Sequence, residues 1–248
     1  MNRTIIKVIL LLLLATNLFA DSNLFEDANK LYEQKDYQKA IETYNQIVAN
    51  DIESAPLYFN LGNAYFKDGD LGHAILYYMK AKQLAPGDSE IRHNLEFAQR
   101  FSSVQMEGVE LNPITSFLAS LVDSYNLSFL AWGSSFIFIL FMVTLIFRLG
   151  LGYNNPFVRV GLVLSLLFLM IISGLTTFKY RYEYLTQRAV IIAEKPAVYT
   201  GASESSDIEL EGAPGLIVEV LDESDDFYNV LFENKRRGWI KKELVAEF

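Results

Sequence analysis

Between residues 21 and 102 the apolar and small positions recur at three- and four-residue intervals, and the whole pattern then recurs at a longer, fixed offset. Ala28 falls under Gly62, Tyr37 under Leu71, Ala40 under Ala74 and Tyr44 under Tyr78. A period of this length predicts helix-turn-helix units stacked side by side, here over 21–54 and 55–88. Small residues, Ala28 or Gly62 in the first helix and Ala40 or Ala74 in the second, let paired helices approach closely. Tyr44 and Tyr78, with Ile47 and Ala81 one turn later, fill the gap to the next unit, while Lys35-Asp36 and Gly69-Asp70 supply the turns. A further helix starts with Asp88 or Ser89 as N-cap and carries Ile91, Leu95, Ala98 and Phe101 at helical spacing. Two units leave one apolar face open, so this helix is expected to act as the cap of an array ending near residue 102.

Two other stretches, 129–147 and 160–178, run without a charge. At 1.5 Å per residue each covers about 28 Å, the thickness of a bilayer's hydrocarbon core. They predict a transmembrane hairpin. Residues 148–159 form its turn, rich in Gly, Asn and Pro, and Arg148 and Arg159 favour the cytoplasmic side. Gly133, Ser134, Ser135, Gly161, Ser165, Ser173 and Gly174 are small enough for close contact within the hairpin. No ionisable residue lies inside either span, so an ion or proton path has no candidate group. Residues 1–20, with Arg3 and Lys7 before an apolar core and Leu18-Phe19-Ala20 before Asp21, read as a secretory signal peptide, an uncleaved anchor being the alternative. An export signal followed by an even number of spans would leave both flanking modules on the far side of the membrane, with residues 103–128 as linker or interfacial helix.

From residue 188 onward the texture becomes short apolar-polar alternation: AVIIA, AVYT, LIVEVLD, FYNVLF and RGWIKKELV, divided by polar turns. Five short strands so closely spaced predict a small all-β barrel over 188–248. Trp239 reads as a half-buried core residue. Asp222, Glu223, Asp225 and Asp226 read as a solvated acidic turn, without the glycine and asparagine spacing of a calcium loop.

Charge and residue inventory narrow the function. Residues 21–100 carry 8 basic and 13 acidic side chains, and residues 188–248 carry 7 and 13, net charges of −5 and −6. Two acidic modules repel a phosphate backbone, which argues against nucleic acid as a partner. The chain has no cysteine and only two histidines, His73 and His93. Neither histidine sits in a metal or catalytic-triad pattern, and no nucleotide fingerprint is present, so the reading is of a protein that is not an enzyme and needs no cofactor or metal.

The run LGNAYFKDGDLGHAILYYMKAKQLAP within 55–88 resembles the tetratricopeptide repeat family, with 21–54 a weaker second unit. The family's geometry implies a concave face lined by first-helix residues, here Phe25, Asn29, Tyr32 and Glu33, then Phe59, Asn63, Phe66 and Lys67, then Phe97, Arg100 and Phe101. Asn29, Tyr32, Glu33, Phe59, Asn63, Phe66, Lys67, Phe97 and Arg100 are the candidate protein-binding residues, unless a linker helix around 114–122 covers the aromatic ones. Relatives that grip a terminal carboxylate use two asparagines and three basic residues. Asn29 and Asn60 match the asparagines, but Phe25, Glu90 and Asn94 stand at the basic positions, so that clamp is not expected. Near the carboxyl terminus, Gly238-Trp239-Ile240 after a basic hairpin resembles the bacterial SH3-like domain. Phe227-Tyr228 replace the tryptophan expected after the acidic loop, which separates this chain from proline-rich recognition.

As an ordered string, the expected fold is multidomain: a signal peptide, an α-helical repeat array, a two-helix membrane hairpin and an SH3-like barrel. The whole resembles the BatE-type proteins of the Bacteroides aerotolerance (Bat) family. That resemblance implies a scaffold on the periplasmic side of the bacterial inner membrane, working beside von Willebrand factor A membrane proteins and a MoxR-type ATPase. A second reading is a cell-wall sensor whose barrel binds peptidoglycan.

Overall fold

The computed structural model describes residues 23–103, 121–122, 125–152, 155–181 and 185–248. The expected leader over 1–20 and most of the 103–128 linker lie outside these residues. Five helices come first: α1 (residues 23–33), α2 (Tyr37–Val48), α3 (Ala55–Asp68), α4 (Leu71–Leu84) and α5 (Ser89–Ser103). Two long helices follow, α6 (Leu127–Leu149) and α7 (Pro156–Tyr180). The chain closes with seven strands: β1 (Arg188–Ile191), β2 (Ala197–Tyr199), β3 (Ile208–Glu211), β4 (Ile217–Ser224), β5 (Phe227–Leu231), β6 (Arg237–Lys241) and β7 (Val245–Glu247).

The repeat period governs the helix ends as well as the core. Asp36 and Asp70 are equivalent N-caps, accepting from the amides of Lys39 and His73. Each follows a residue in the left-handed region, Lys35 at φ 64° and Gly69 at φ 94°. Asp88 caps α5, its carboxylate accepting from the amides of Glu90 and Ile91 at 2.8 and 3.2 Å. The close approach inferred for Gly62 holds: a Cβ there would lie 2.7 Å from the Tyr78 ring. Ala28, Ala40, Leu61, Ala64, Ala74 and Ala81 are fully buried.

Helix α5 packs on α4 at the end of the array. Helix α5 does not close the array alone, because the apolar face it forms with α4 is covered by the strand module. Val190 of β1 shares one core with Ile75, Leu76 and Met79 of α4 and with Leu95 and Ala98 of α5, and Ile192, Ile217, Ala246 and Phe248 pack around them. The approach is at backbone level, since a Cβ on Gly72 would stand 2.7 Å from Ile192 Cα. From the other side, Gly215, at φ 80°, presses against Ile75, and Ser102 donates its hydroxyl to Pro214 O at 2.7 Å. The strands thus cover the apolar face that α4 and α5 would otherwise leave open. Burial of each Val or Ile across this junction contributes roughly 1.5–3 kcal/mol.

The strand module has seven strands where five were expected. They form one antiparallel sheet ordered β3-β2-β6-β5-β4-β1-β7. Residues 208–211 pair with β2 as a strand of their own, and the RGWIKKELV run is two strands separated by a 3-10 turn at Lys242–Leu244. Val198 of β2 and Val245 of β7 belong to one core with Ile191, Val218, Val230, Phe232 and Ile240. Strands near opposite edges therefore wrap around a common interior. Trp239 is half-buried beside Asn229 on the neighbouring strand.

Helices α6 and α7 are each long and apolar enough to cross a membrane, and they pack as an antiparallel hairpin. Ser134 Oγ lies 3.1 Å from Thr176 Oγ1, and a Cβ on Gly133 would meet Ile172 Cδ1 at 2.8 Å. Gly161 faces Thr144, whereas Gly174 has nothing within reach and takes no part in the contact. Asn126 and Asn155 cap the two helices through the amides of Phe129 and Phe157.

Candidate functional site

Helices α1 and α3, with Tyr44 of α2, line a groove of about 310 Å³ bounded by Asn29, Tyr32, Glu33, Tyr44, Asn60 and Asn63. Its floor is a repeated hydrogen-bond triad. Asn29 Oδ1 accepts from the Tyr44 hydroxyl at 2.5 Å and from Asn60 Nδ2 at 2.9 Å. One period later Asn63 Oδ1 accepts from the Tyr78 hydroxyl at 2.7 Å and from Asn94 Nδ2 at 2.9 Å. Each triad ties both helices of one repeat to the first helix of the next. With both carbonyl oxygens engaged, Asn29 Nδ2 and Asn63 Nδ2 are donors without a partner among the described residues. Burial pushes the Tyr44 hydroxyl up to about 12 and raises Tyr78 likewise, so both stay protonated donors throughout the physiological range.

Asn29, Tyr32, Glu33 and Asn63 line this groove together. Phe59 is half-buried, its ring 6.0 Å from that of Tyr78, and serves the core as much as the groove. Phe66, Phe97 and Phe101 form a separate aromatic cluster at the α3-α5 end, with centroids 5.3–5.9 Å apart. Phe97 and Phe101 remain 44% and 54% exposed, leaving a ring surface for a partner. Lys67 and Arg100 are exposed beside them. The linker around 114–122, weighed as a cover for these rings, falls almost wholly outside the described residues.

Sequence reasoning assigned Tyr44 to packing alone and missed its hydroxyl in the groove. The signal was present as Asn29, Tyr44 and Asn60, followed one period later by Asn63, Tyr78 and Asn94. The asparagines weighed for a carboxylate clamp are tied to one another, since Asn60 donates its amide to Asn29. His73 is a structural residue: its Nδ1 lies 2.7 Å from Asp70 Oδ2 and its ring stacks on Tyr65. His93 is exposed.

A second cavity, of about 400 Å³, opens at the junction of the modules between Gly69, Lys195, Glu211 and Pro214. On the strand module, Arg236 clasps β3 through Glu209, and Lys242 lies over the Tyr228 ring while pairing with Glu223.

Comparison with known families agrees with the geometry. Residues 55–88 match the tetratricopeptide repeat model, and residues 28–69 match a second TPR repeat model. No match was found among curated proteins. The chain therefore carries tetratricopeptide repeats, a module whose work is protein-protein interaction.

Proposed function

We propose that this protein is a membrane-anchored, non-enzymatic scaffold of the bacterial cell envelope. In this reading it holds partner proteins in its repeat groove on the periplasmic side of the inner membrane. The repeats support protein partners, and the two apolar helices support an anchor. One observation carries the topology. The strand module, which follows the hairpin, shares a core with the repeats that precede it, and modules in contact must lie on one side of any membrane the hairpin crosses. An exported amino-terminal module then requires an exported carboxyl-terminal one. By resemblance to the Bacteroides aerotolerance family, the partners are von Willebrand factor A membrane proteins and a MoxR-type ATPase system, and the setting is stress tolerance.

The test is crosslinking of the intact protein in its own membrane, followed by identification of what it captures. Phe97→Ala with Phe101→Ala removes half-exposed rings and should abolish capture while circular dichroism shows the array still folded. Asn63→Ala is the poorer probe, because it also releases Tyr78 and Asn94. Capture that persists in the folded double variant rules out the aromatic end of the concave face as the binding surface. Protease added to spheroplasts should cut both modules, and protection of either one rules out the topology.

A further inference from the structure

The groove changes character along the array, and the repeat period makes the change legible. At equivalent positions of successive units, Glu33 becomes Lys67 and then Phe101, Tyr32 becomes Phe66 and then Arg100, and Asn29 becomes Asn63 and then Phe97. The end formed by α1 thus presents a carboxylate beside amides. The end formed by α3 and α5 presents two cations around three phenylalanines.

Elsewhere on the array, Lys30 pairs with Asp27 at 3.1 Å and Lys39 with Asp36 at 2.6 Å, while Lys80 lies over the Tyr58 and Tyr77 rings. Glu33, Lys67 and Arg100 have no ion pair among the described residues. The Glu33 carboxylate also sits close enough to Tyr44 to add to the rise in that hydroxyl's pKa, after the larger effect of burial.

Resting on the groove reading above, we propose that the occupant is an extended segment of a partner protein with a polarised charge pattern. A lysine or arginine meets Glu33, apolar side chains cover Phe66, Phe97 and Phe101, and an aspartate or glutamate meets Lys67 and Arg100. Asn29 Nδ2 and Asn63 Nδ2, one repeat apart, take backbone carbonyls. The spacing follows from the helices. The Asn60–Asn29 and Asn94–Asn63 bonds make α1, α3 and α5 direct neighbours, and neighbouring helices stand roughly 8–10 Å apart. Two such steps span about 18 Å, which an extended chain covers in about six residues at roughly 3.3 Å each.

Fluorescently labelled ten-residue peptides with one leucine-rich centre test this on the full chain in nanodiscs. One carries lysine and glutamate six residues apart, one lysine at both positions, and one glutamate at both. The mixed peptide should bind about three- to tenfold more tightly than either control at low salt, with the advantage shrinking as salt rises. In Glu33→Lys, an exposed site, the preference should shift to the double-glutamate peptide. Equal binding of all three, or an unchanged order in the variant, overturns the polarity and leaves the groove standing. If no peptide binds while membrane crosslinking still depends on Phe97 and Phe101, the polarity alone falls. If crosslinking fails as well, both readings fall. Self-association abolished by Glu33→Lys identifies a second copy as occupant and overturns the peptide partner.

Discussion

A methyl group on Gly72 would stand 2.7 Å from Ile192 Cα, although a whole apolar hairpin separates the two in the chain. The atoms it would meet are backbone, which cannot rotate aside. Gly72→Ala should therefore undock the strand module, at a cost of about 1–3 kcal/mol. Since the chain has no cysteine, Asp68→Cys, beside Gly69 at the rim of the junction cavity, with Lys195→Cys reports docking through a short thiol crosslinker. Crosslinking should be efficient when Gly72 is kept and weak when Gly72→Ala is added; equal yields would mean the junction tolerates the methyl group.

Equivalent turns make a matched pair of opposite predictions. Lys35 bears a side chain in the left-handed region where its counterpart is Gly69. Lys35→Gly should raise stability by about 1 kcal/mol, and Gly69→Ala should lower it by about the same amount, although a Cβ at Gly69 has open space around it. Thermal melts of the two variants should move in opposite directions, which isolates backbone strain from packing.

High pH should loosen the array through its tyrosines. Burial raises the Tyr44, Tyr58 and Tyr77 hydroxyls to about 12, whereas the unfolded chain ionises them near 10. Between those values the folded state holds more protons than the unfolded one. The stabilisation is accordingly complete below pH 10 and is lost as pH rises toward 12. Tyr44→Phe should cost about 1 kcal/mol at pH 8 by removing its bond to Asn29, and should make the alkaline loss shallower in denaturant titrations.

Within the hairpin, Ser134 and Thr176 each also bond a carbonyl one turn back in their own helix. Ser134→Ala should then weaken helix association only slightly, by about 0.6 kcal/mol. Gly133→Leu should be far worse, because its side chain would enter the space of Ile172. Förster transfer between labels on the two helix ends would separate these outcomes.

The repeats, the hairpin and the all-β character of the last module were legible because each rests on a pattern local to its own stretch of chain: a repeat offset, an uncharged run, or strict alternation. Strand boundaries were less so. Lys241, Lys242 and Glu243 break the alternation inside one expected strand, and the chain turns there from β6 into β7. The docking of the modules left no local mark, because Gly72 and Ser102 read as ordinary helix residues until Ile192 and Pro214 are brought against them. In the groove, the concave-face positions implied by the repeat resemblance pointed to Asn29 and Asn63. Knowing which of their atoms remain available required the tyrosine hydroxyls, whose reach depends on how helices α1 to α4 stack.

Helical repeats that finish on a bare apolar surface offer it to the leading helix of another copy, and that head-to-tail contact does not close; it grows into a filament. Here the trailing surface is occupied by a sheet from the same polypeptide. The chain's own sheet thereby blocks that route of end-to-end growth.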